Sequence, residues 1–405
     1  MVLSTANDTT IRSLTERLAD RTSVFGTSIW TDILRQFQQH PDPVYFGDGA
    51  PARELLPIER LREASLKAWD DAPAALGYGD QRGYPPLREL VAERIAARGI
   101  KTNADNILIT GGATQGLDIA ARAFLEEGDA ILVEIPTFLG AIEIFQLAGV
   151  EIIGVAGDDR GMDMDALQAA LAANPHAKAI YTIPTFQNPS GTTLPQERRE
   201  RMIELAREHN VAIFEDDPYG ELQYSGERIL PIRALDDRVL HFGTFSKTIA
   251  PGIRTGYVIA PDDIIGTLLT VREVTDISND RIMMRTVYHT AKDFLDGHVE
   301  HAKDVYRSRR DAMLEALDEH MPEGVTWSKP DGGFFVWITL PDDVRHDSLF
   351  DDAAKNGVIF FPGQWFDPNR QVAHTVRLSF STVPEDRIRL GIERLGQTIL
   401  EELRR

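Results

Sequence analysis

AILVE (Ala130–Glu134), EIIGV (Glu151–Val155), AIYTI (Ala179–Ile183) and VAIFE (Val211–Glu215) decide the fold. These are short β-branched runs, and VLHFG (Val239–Gly243) and GYVIA (Gly256–Ala260) continue the series. Longer amphipathic stretches separate them, with helical patterns at Leu117–Glu126 and Arg198–His209. Strands that are apolar almost throughout, alternating with helices, predict a mostly parallel sheet covered on both faces. Outward from this core the texture changes. A long helical pattern, His298–His320, stops before Pro322. Short strands follow at Gly332–Leu340, Val358–Pro362 and Thr375–Ser381, then a terminal helix over Pro384–Glu402. The expected fold class is α/β: a large domain with a mostly parallel, seven-stranded-type sheet flanked by helices, and a small α+β domain. The expected divisions are 1–55 as an N-terminal segment packing on the small domain or a partner subunit, 56–295 as the large domain, and 296–405 as the small one.

Composition narrows the function. The chain has 405 residues, enough for two or three domains at roughly 150 residues each. It carries 43 Lys+Arg against 63 Asp+Glu, a formal net charge of −20. Such an acidic chain is a poor binder of phosphate backbones, so no nucleic-acid role is expected. There is no cysteine, which excludes disulfides, thiolate nucleophiles, zinc–thiolate sites and iron–sulfur clusters. No metal is expected. No apolar run reaches the roughly 18 residues of a transmembrane helix, and the N-terminus lacks a secretory signal, so a cytoplasmic protein is expected. Lysine occurs only eight times, which leaves few candidates for chemistry that needs a primary amine.

One of the eight stands out. In TFSKTIAPGIRTG (Thr244–Gly256), Lys247 follows a predicted strand. A lone lysine in a loop is ordinarily a solvated charge. Here two hydroxyls, Thr244 and Ser246, and a guanidinium, Arg254, surround one amine and together would cradle a phosphate dianion. An amine beside a phosphate site is what a lysine Schiff base with pyridoxal 5′-phosphate requires. The other parts of that cofactor find candidates too. Asp216, at a strand end in AIFEDDPYGEL, suits the proton on a pyridine nitrogen. Tyr219 and Asn188 can donate to the ring's 3′-oxygen, and Phe138 can cover a ring face. Gly111-Gly112 leads into a helix start at Ala113 and Thr114, whose N–H groups suit a phosphate. Each fragment alone has an ordinary reading as a cap, a turn or core. Their order and spacing as a set carry the argument.

The set resembles the fold-type I pyridoxal-phosphate aminotransferases of class I/II. The resemblance runs from about Ser28 to the end. It is carried by Gly49-Ala50-Pro51, Tyr78, Gly83-Tyr84-Pro85, Leu87-Arg88, Gly111–Gln115, Pro136–Phe138, Asn188-Pro189-Ser190-Gly191, Asp216–Tyr219, Ser246-Lys247, Arg254 and Arg377. It implies that Lys247 is the Schiff-base lysine and the base that moves the α-proton. Asp216 is then the pyridinium partner, Tyr219 and Asn188 the 3′-oxygen donors, and Ser246, Arg254, Ala113 and Thr114 the phosphate cup. Thr244 stands where the family often has Ser, and Phe138 where it often has Tyr. The resemblance further implies that Arg377 grips the substrate α-carboxylate, that Asn188 reaches the same group, and that Gly49 lines the substrate site. Tyr78 matches a tyrosine that reaches the neighbouring subunit's phosphate, which implies a homodimer. The implied reaction is ping-pong transfer of an amino group from an α-amino acid to a 2-oxo acid such as 2-oxoglutarate.

Within the family, FQNPSG, EDDPY and GGFFVWITLP resemble the kynurenine, 2-aminoadipate and multi-substrate branch. One position departs. Aminoadipate-type relatives tend to carry an arginine after a Ser-Ile-like pair; this chain has Ser28-Ile29-Trp30. An indole cannot hold a distal carboxylate by charge, so aromatic or branched donors are expected over 2-aminoadipate. Two rival readings share the scaffold. A β-lyase, decarboxylase or specialised biosynthetic enzyme would use the same lysine, aspartate and arginine. A transcription regulator would need a basic module ahead of the domain, where only about 27 residues stand.

Overall fold

The computed structural model describes residues 14–19, 21, 22 and 29–404. Ser28, from which the resemblance starts, lies outside them. The strands in chain order are β1 (Val44–Tyr45), β2 (Ile107–Thr110), β3 (Ala130–Ile135), β4 (Glu151–Asp158), β5 (Gly161–Met162), β6 (Ala177–Thr182), β7 (Ala212–Asp216), β8 (Leu240–Thr244), β9 (Gly256–Ile259), β10 (Thr326–Trp327), β11 (Phe335–Thr339), β12 (Val358–Ile359), β13 (Phe361–Pro362) and β14 (Thr375–Ser379).

The large sheet runs β2-β9-β8-β7-β6-β3-β4-β5. The pairs β8–β7, β7–β6, β6–β3 and β3–β4 are parallel, whereas β9 is antiparallel to both neighbours. The expected seven strands are present, and a two-residue eighth, β5, adds to the β4 edge. The extra one, β5, returns from β4 through a turn at Asp159 and Arg160 and begins at Gly161, where φ is +93°, a conformation natural to glycine. Both faces are buried, as apolar strands require. Ile131, Val133, Tyr181, Phe214 and Phe242 build one core with the helix Ala113–Phe124; Ala130, Leu132, Ile180 and Ile213 build another with the helix Gln196–His209. At about 1.5–3 kcal/mol per fully buried large apolar side chain, this double burial anchors the sheet.

The second layer is a four-stranded antiparallel sheet, β10-β11-β14-β13, packed with the helices Leu295–His320 and Glu385–Leu403. The expected strand Val358–Pro362 is divided. Its first half, β12, pairs in parallel with β1; its second half, β13, joins β14. Phe360 between them is buried in the core, so the chain turns there and each half finds a different partner. A helix at Ile29–Gln39 lays Ile33 against Phe361, Trp365 and Phe366.

Candidate active site

In a parallel sheet the carboxyl ends of successive strands open on one edge, where ligands of such folds bind. Gly111 and Gly112 follow β2, Pro136–Phe138 follow β3, Asn188 lies in the loop after β6, Asp216 ends β7, and Lys247 follows β8. The sheet brings residues from five distant segments to one edge.

Lys247 is enclosed. Its Nζ donates to the Gly49 carbonyl at 2.8 Å and lies 5.8 Å from the centre of the Tyr219 ring. Burial disfavours the ammonium and lowers its pKa to about 8, against an opposing pull from Asp48. Asp216 is buried as well. Tyr181 donates its hydroxyl proton to Oδ2 at 2.9 Å, while Oδ1 is buried with no partner. Burial pushes the carboxyl up to about 7, partly offset by the Tyr181 bond. An unpartnered buried carboxylate oxygen is costly, and a ring N–H would satisfy it. Tyr219 is buried edge-on against Phe334 and Phe335, and burial holds its phenol well above the usual range.

The cup forms where β2, β8 and β9 meet. Arg254 donates to the Gly111 carbonyl at 2.7 Å. Thr244 Oγ1 lies 2.9 Å from Ser246 Oγ and accepts from the Ser246 N–H at 3.1 Å. Gly112, at φ +98°, lies against the Arg254 guanidinium, and a Cβ there would sit 2.5 Å from Nη2. Immediately after it, Ala113 and Thr114 open the helix with free N–H groups and no side-chain cap. A guanidinium, two hydroxyls and a helix N-terminus in one place form an anion site.

Arg377 on β14 is buried beside Asn188. It donates to Asn188 Oδ1 at 2.9 Å and to the Gly47 carbonyl, and its Nε has no partner. The guanidinium carbon lies 4.3, 4.5 and 4.9 Å from the ring centres of Phe335, Phe361 and Phe366. Among the described residues no carboxylate pairs with it. Burial lowers its pKa to about 10. A buried cation within aromatic walls and without a counter-charge is a ready receptor for a carboxylate.

The remaining expected residues lie further out. Phe138 is half-buried at the start of the helix Leu139–Ala148, and the neighbouring Thr137 N–H donates to the Phe366 carbonyl, tying this loop to the Arg377 pocket. Trp30 is 57% exposed and stands edge-on to Phe361, 5.9 Å between centres, so it is one ring removed from Arg377. Tyr78 is 90% exposed, and none of these contacts involves it. Sequence reading missed Tyr181 and the three phenylalanines. Tyr181 looks like any strand apolar residue in AIYTI, and only its placement beside β7 gives its hydroxyl a target.

The residues fit pyridoxal 5′-phosphate: a buried amine, an unpartnered carboxylate oxygen and an anion cup lie at one edge of the sheet. The profile of the family "Aminotransferase class I and II" matches residues 42–395. Aromatic-amino-acid aminotransferase 1 of Thermococcus litoralis is 40% identical, over 92% of this chain and 91% of its own. The 2-aminoadipate transaminase of Thermus thermophilus is 35% identical, over 90% and 92%. A crystal structure of kynurenine aminotransferase from Pyrococcus horikoshii, in complex with PMP, superposes with a TM-score of 0.90 at 38% identity, over 96% of this chain and 98% of that one. The chain belongs to the class I and II aminotransferases, in the branch of the aromatic, kynurenine and 2-aminoadipate enzymes, and is a pyridoxal-phosphate-dependent enzyme of amino-acid transamination.

Proposed function

We infer that this enzyme takes its amino group from aromatic or branched aliphatic α-amino acids, and that Lys247, Asp216, Asn188, Tyr219, Arg254 and Arg377 carry the reaction. The bound cofactor supplies an aldehyde that accepts the amino group and a ring that draws electrons from the α-carbon. Lys247, with its amine poised near neutrality, is the base that would take the proton from the substrate α-carbon. Asp216 would hold the proton on the ring nitrogen through its unpartnered Oδ1. Ser246, Thr244, Arg254 and the helix start at Ala113 and Thr114 would hold the phosphate, Asn188 and Tyr219 would donate to the ring oxygen, and Phe138 would cover the ring. Arg377 and Asn188 fix the α-carboxylate, with Gly49 beside them, and so orient the α-C–H bond.

The observation that carries the substrate reading is the aromatic wall around Arg377. Phe335, Phe361 and Phe366 enclose the guanidinium, and Trp30 extends the wall outward. An apolar side chain gains burial there, whereas a distal carboxylate meets no opposing charge on Trp30. A homodimer completes the reading. Ile58, Leu66, Trp69, Tyr78 and Val274 are each more than half exposed, an apolar surface that a second subunit would cover. A three-part division, 1–55, 56–295 and 296–405, and a cytoplasmic location belong to the same proposal. Among the described residues no helix is long and apolar enough to cross a membrane.

The test is an absorbance spectrum of the purified protein, followed by single amino acids without any oxo acid. The visible cofactor band should bleach fastest with phenylalanine, tyrosine, kynurenine or leucine. Fastest bleaching by 2-aminoadipate or glutamate would overturn the reading of Trp30. A band that no amino acid bleaches would move the enzyme to lyase or decarboxylase chemistry.

A further inference from the structure

Behind Asp216, on the opposite face of the sheet, lies a set of ionisable side chains that the chemistry above does not use. Side chains alternate along a strand. In Phe214–Asp217 (FEDD), Asp216 therefore faces the site, while Glu215 and Asp217 point away from it. Both approach His241. Glu215 Oε2 lies 2.9 Å from Nδ1, and Asp217 Oδ2 lies 3.9 Å from Nε2. The β7–β8 register sets Glu215 opposite His241 and Asp216 opposite Phe242, so imidazole and acids share one face. Glu215 also accepts from the N–H groups of Ile232 and Arg233, at 2.6 and 3.0 Å. Asp217 pairs with Arg98. Tyr257 of β9 stacks on the imidazole, 6.4 Å between ring centres.

Two glycines make room for this array. A Cβ on Gly220 would fall inside the Arg98–Asp217 pair, and one on Gly243 would fall inside the Tyr257 ring. Glu215 and His241 have no exposed side-chain surface. Two acids buried this deeply next to Asp216 pose an electrostatic problem, because each negative charge disfavours ionisation of Asp216. Two basic side chains, His241 and Arg98, face them. Burial alone would push Glu215 up, yet His241 holds it below the ordinary carboxylate range.

We propose that His241 and Arg98 are positioning residues for Asp216, holding Glu215 and Asp217 as ion pairs behind the sheet so that Asp216 can meet a ring N–H as an anion. The inference rests on the reading of Asp216 as the ring partner. The groups that act on Asp216 come from every neighbouring element: Tyr181 from β6, Glu134 from β3, Asp217 and Tyr219 along the chain, His241 from β8, and Lys247 from the loop beyond it.

The test is a pH titration of the Asp216 carboxyl by carbon-13 NMR in the full-length chain stripped of cofactor, with the signal assigned by its loss in Asp216→Asn. Asp217→Asn removes a negative neighbour and should lower the midpoint from about 7. His241→Asn removes the imidazole that partners Glu215 and should raise it. Each shift should be about one pH unit. Midpoints that move in the same direction, or do not move, would overturn the proposal and leave the array a packing feature. If His241→Asn fails to fold, Asp217→Asn decides alone: a fall supports the proposal, and an unchanged or raised midpoint overturns it. Whether Asp216 serves the ring is read separately, from the cofactor absorbance of Asp216→Ala, so failure of that reading is distinguishable.

Discussion

Lys247 and Asp216 are each held away from their ordinary protonation by burial, and this has a measurable cost. The Asp216 carboxyl, raised to about 7, stabilises the fold when protonated. That contribution is complete below the unfolded carboxylate range and is lost as pH rises through about 7. Asp216→Asn, which cannot ionise, should therefore melt higher than the parent at pH 8 in cofactor-free protein, by on the order of a few °C, with the gap closing near pH 4. An equal or lower Tm at pH 8 would show that the site stores no such strain. Function should move the other way: Lys247→Ala should abolish turnover and the visible cofactor band while circular dichroism stays that of the parent. Retained steady-state turnover would remove Lys247 from the mechanism. Arg377→Ala should raise KM for every α-amino acid by about 10–100-fold, the worth of a lost charge-assisted pair. An unchanged KM would place the carboxylate anchor elsewhere.

Two elements bear on the proposed specificity and cofactor grip. The turn between β2 and the helix Ala113–Phe124 works because Gly112 combines φ +98° with contact to Arg254. Gly112→Ala should weaken cofactor binding by about tenfold or more, given a cost of roughly 1–3 kcal/mol for a side chain forced into that conformation. Equilibrium titration with pyridoxal phosphate reads this directly. The helix Ile29–Gln39 carries Trp30 toward the Arg377 wall. Trp30→Arg should raise kcat/KM for 2-aminoadipate relative to phenylalanine, and an unchanged ratio would make Trp30 a packing residue. Turn and anion site are both legible in ITGGATQG. The path from Trp30 through Phe361 to Arg377 is not, because it joins residues more than 300 positions apart.

At the scale of the whole molecule, one chain leaves Tyr78 in solvent. If Tyr78 serves a neighbour's phosphate, mixing Tyr78→Ala with inactive Lys247→Ala subunits should yield more activity than the Tyr78→Ala subunits alone. One site of each mixed dimer would then hold both native groups. No gain on mixing, with dimers present by sedimentation, would confine Tyr78 to its own subunit.

Apolar periodicity determined by itself that this chain builds a parallel sheet covered on both sides, because alternation of buried strands with amphipathic helices admits few other solutions. Residue type and order also picked out Lys247, Asp216, Asn188 and Arg254 as candidates, because an amine, a carboxylate, an amide and a guanidinium in that order suit one cofactor, whereas Arg377 entered only through the family resemblance. Tertiary structure decided which groups act on one another. It left Asp216 Oδ1 without a partner, walled Arg377 with three phenylalanines, split Val358–Pro362 between two sheets, and set His241 between two acids behind the site. These are contacts between strands remote in sequence, set by pairing order and register, and a linear pattern carries neither.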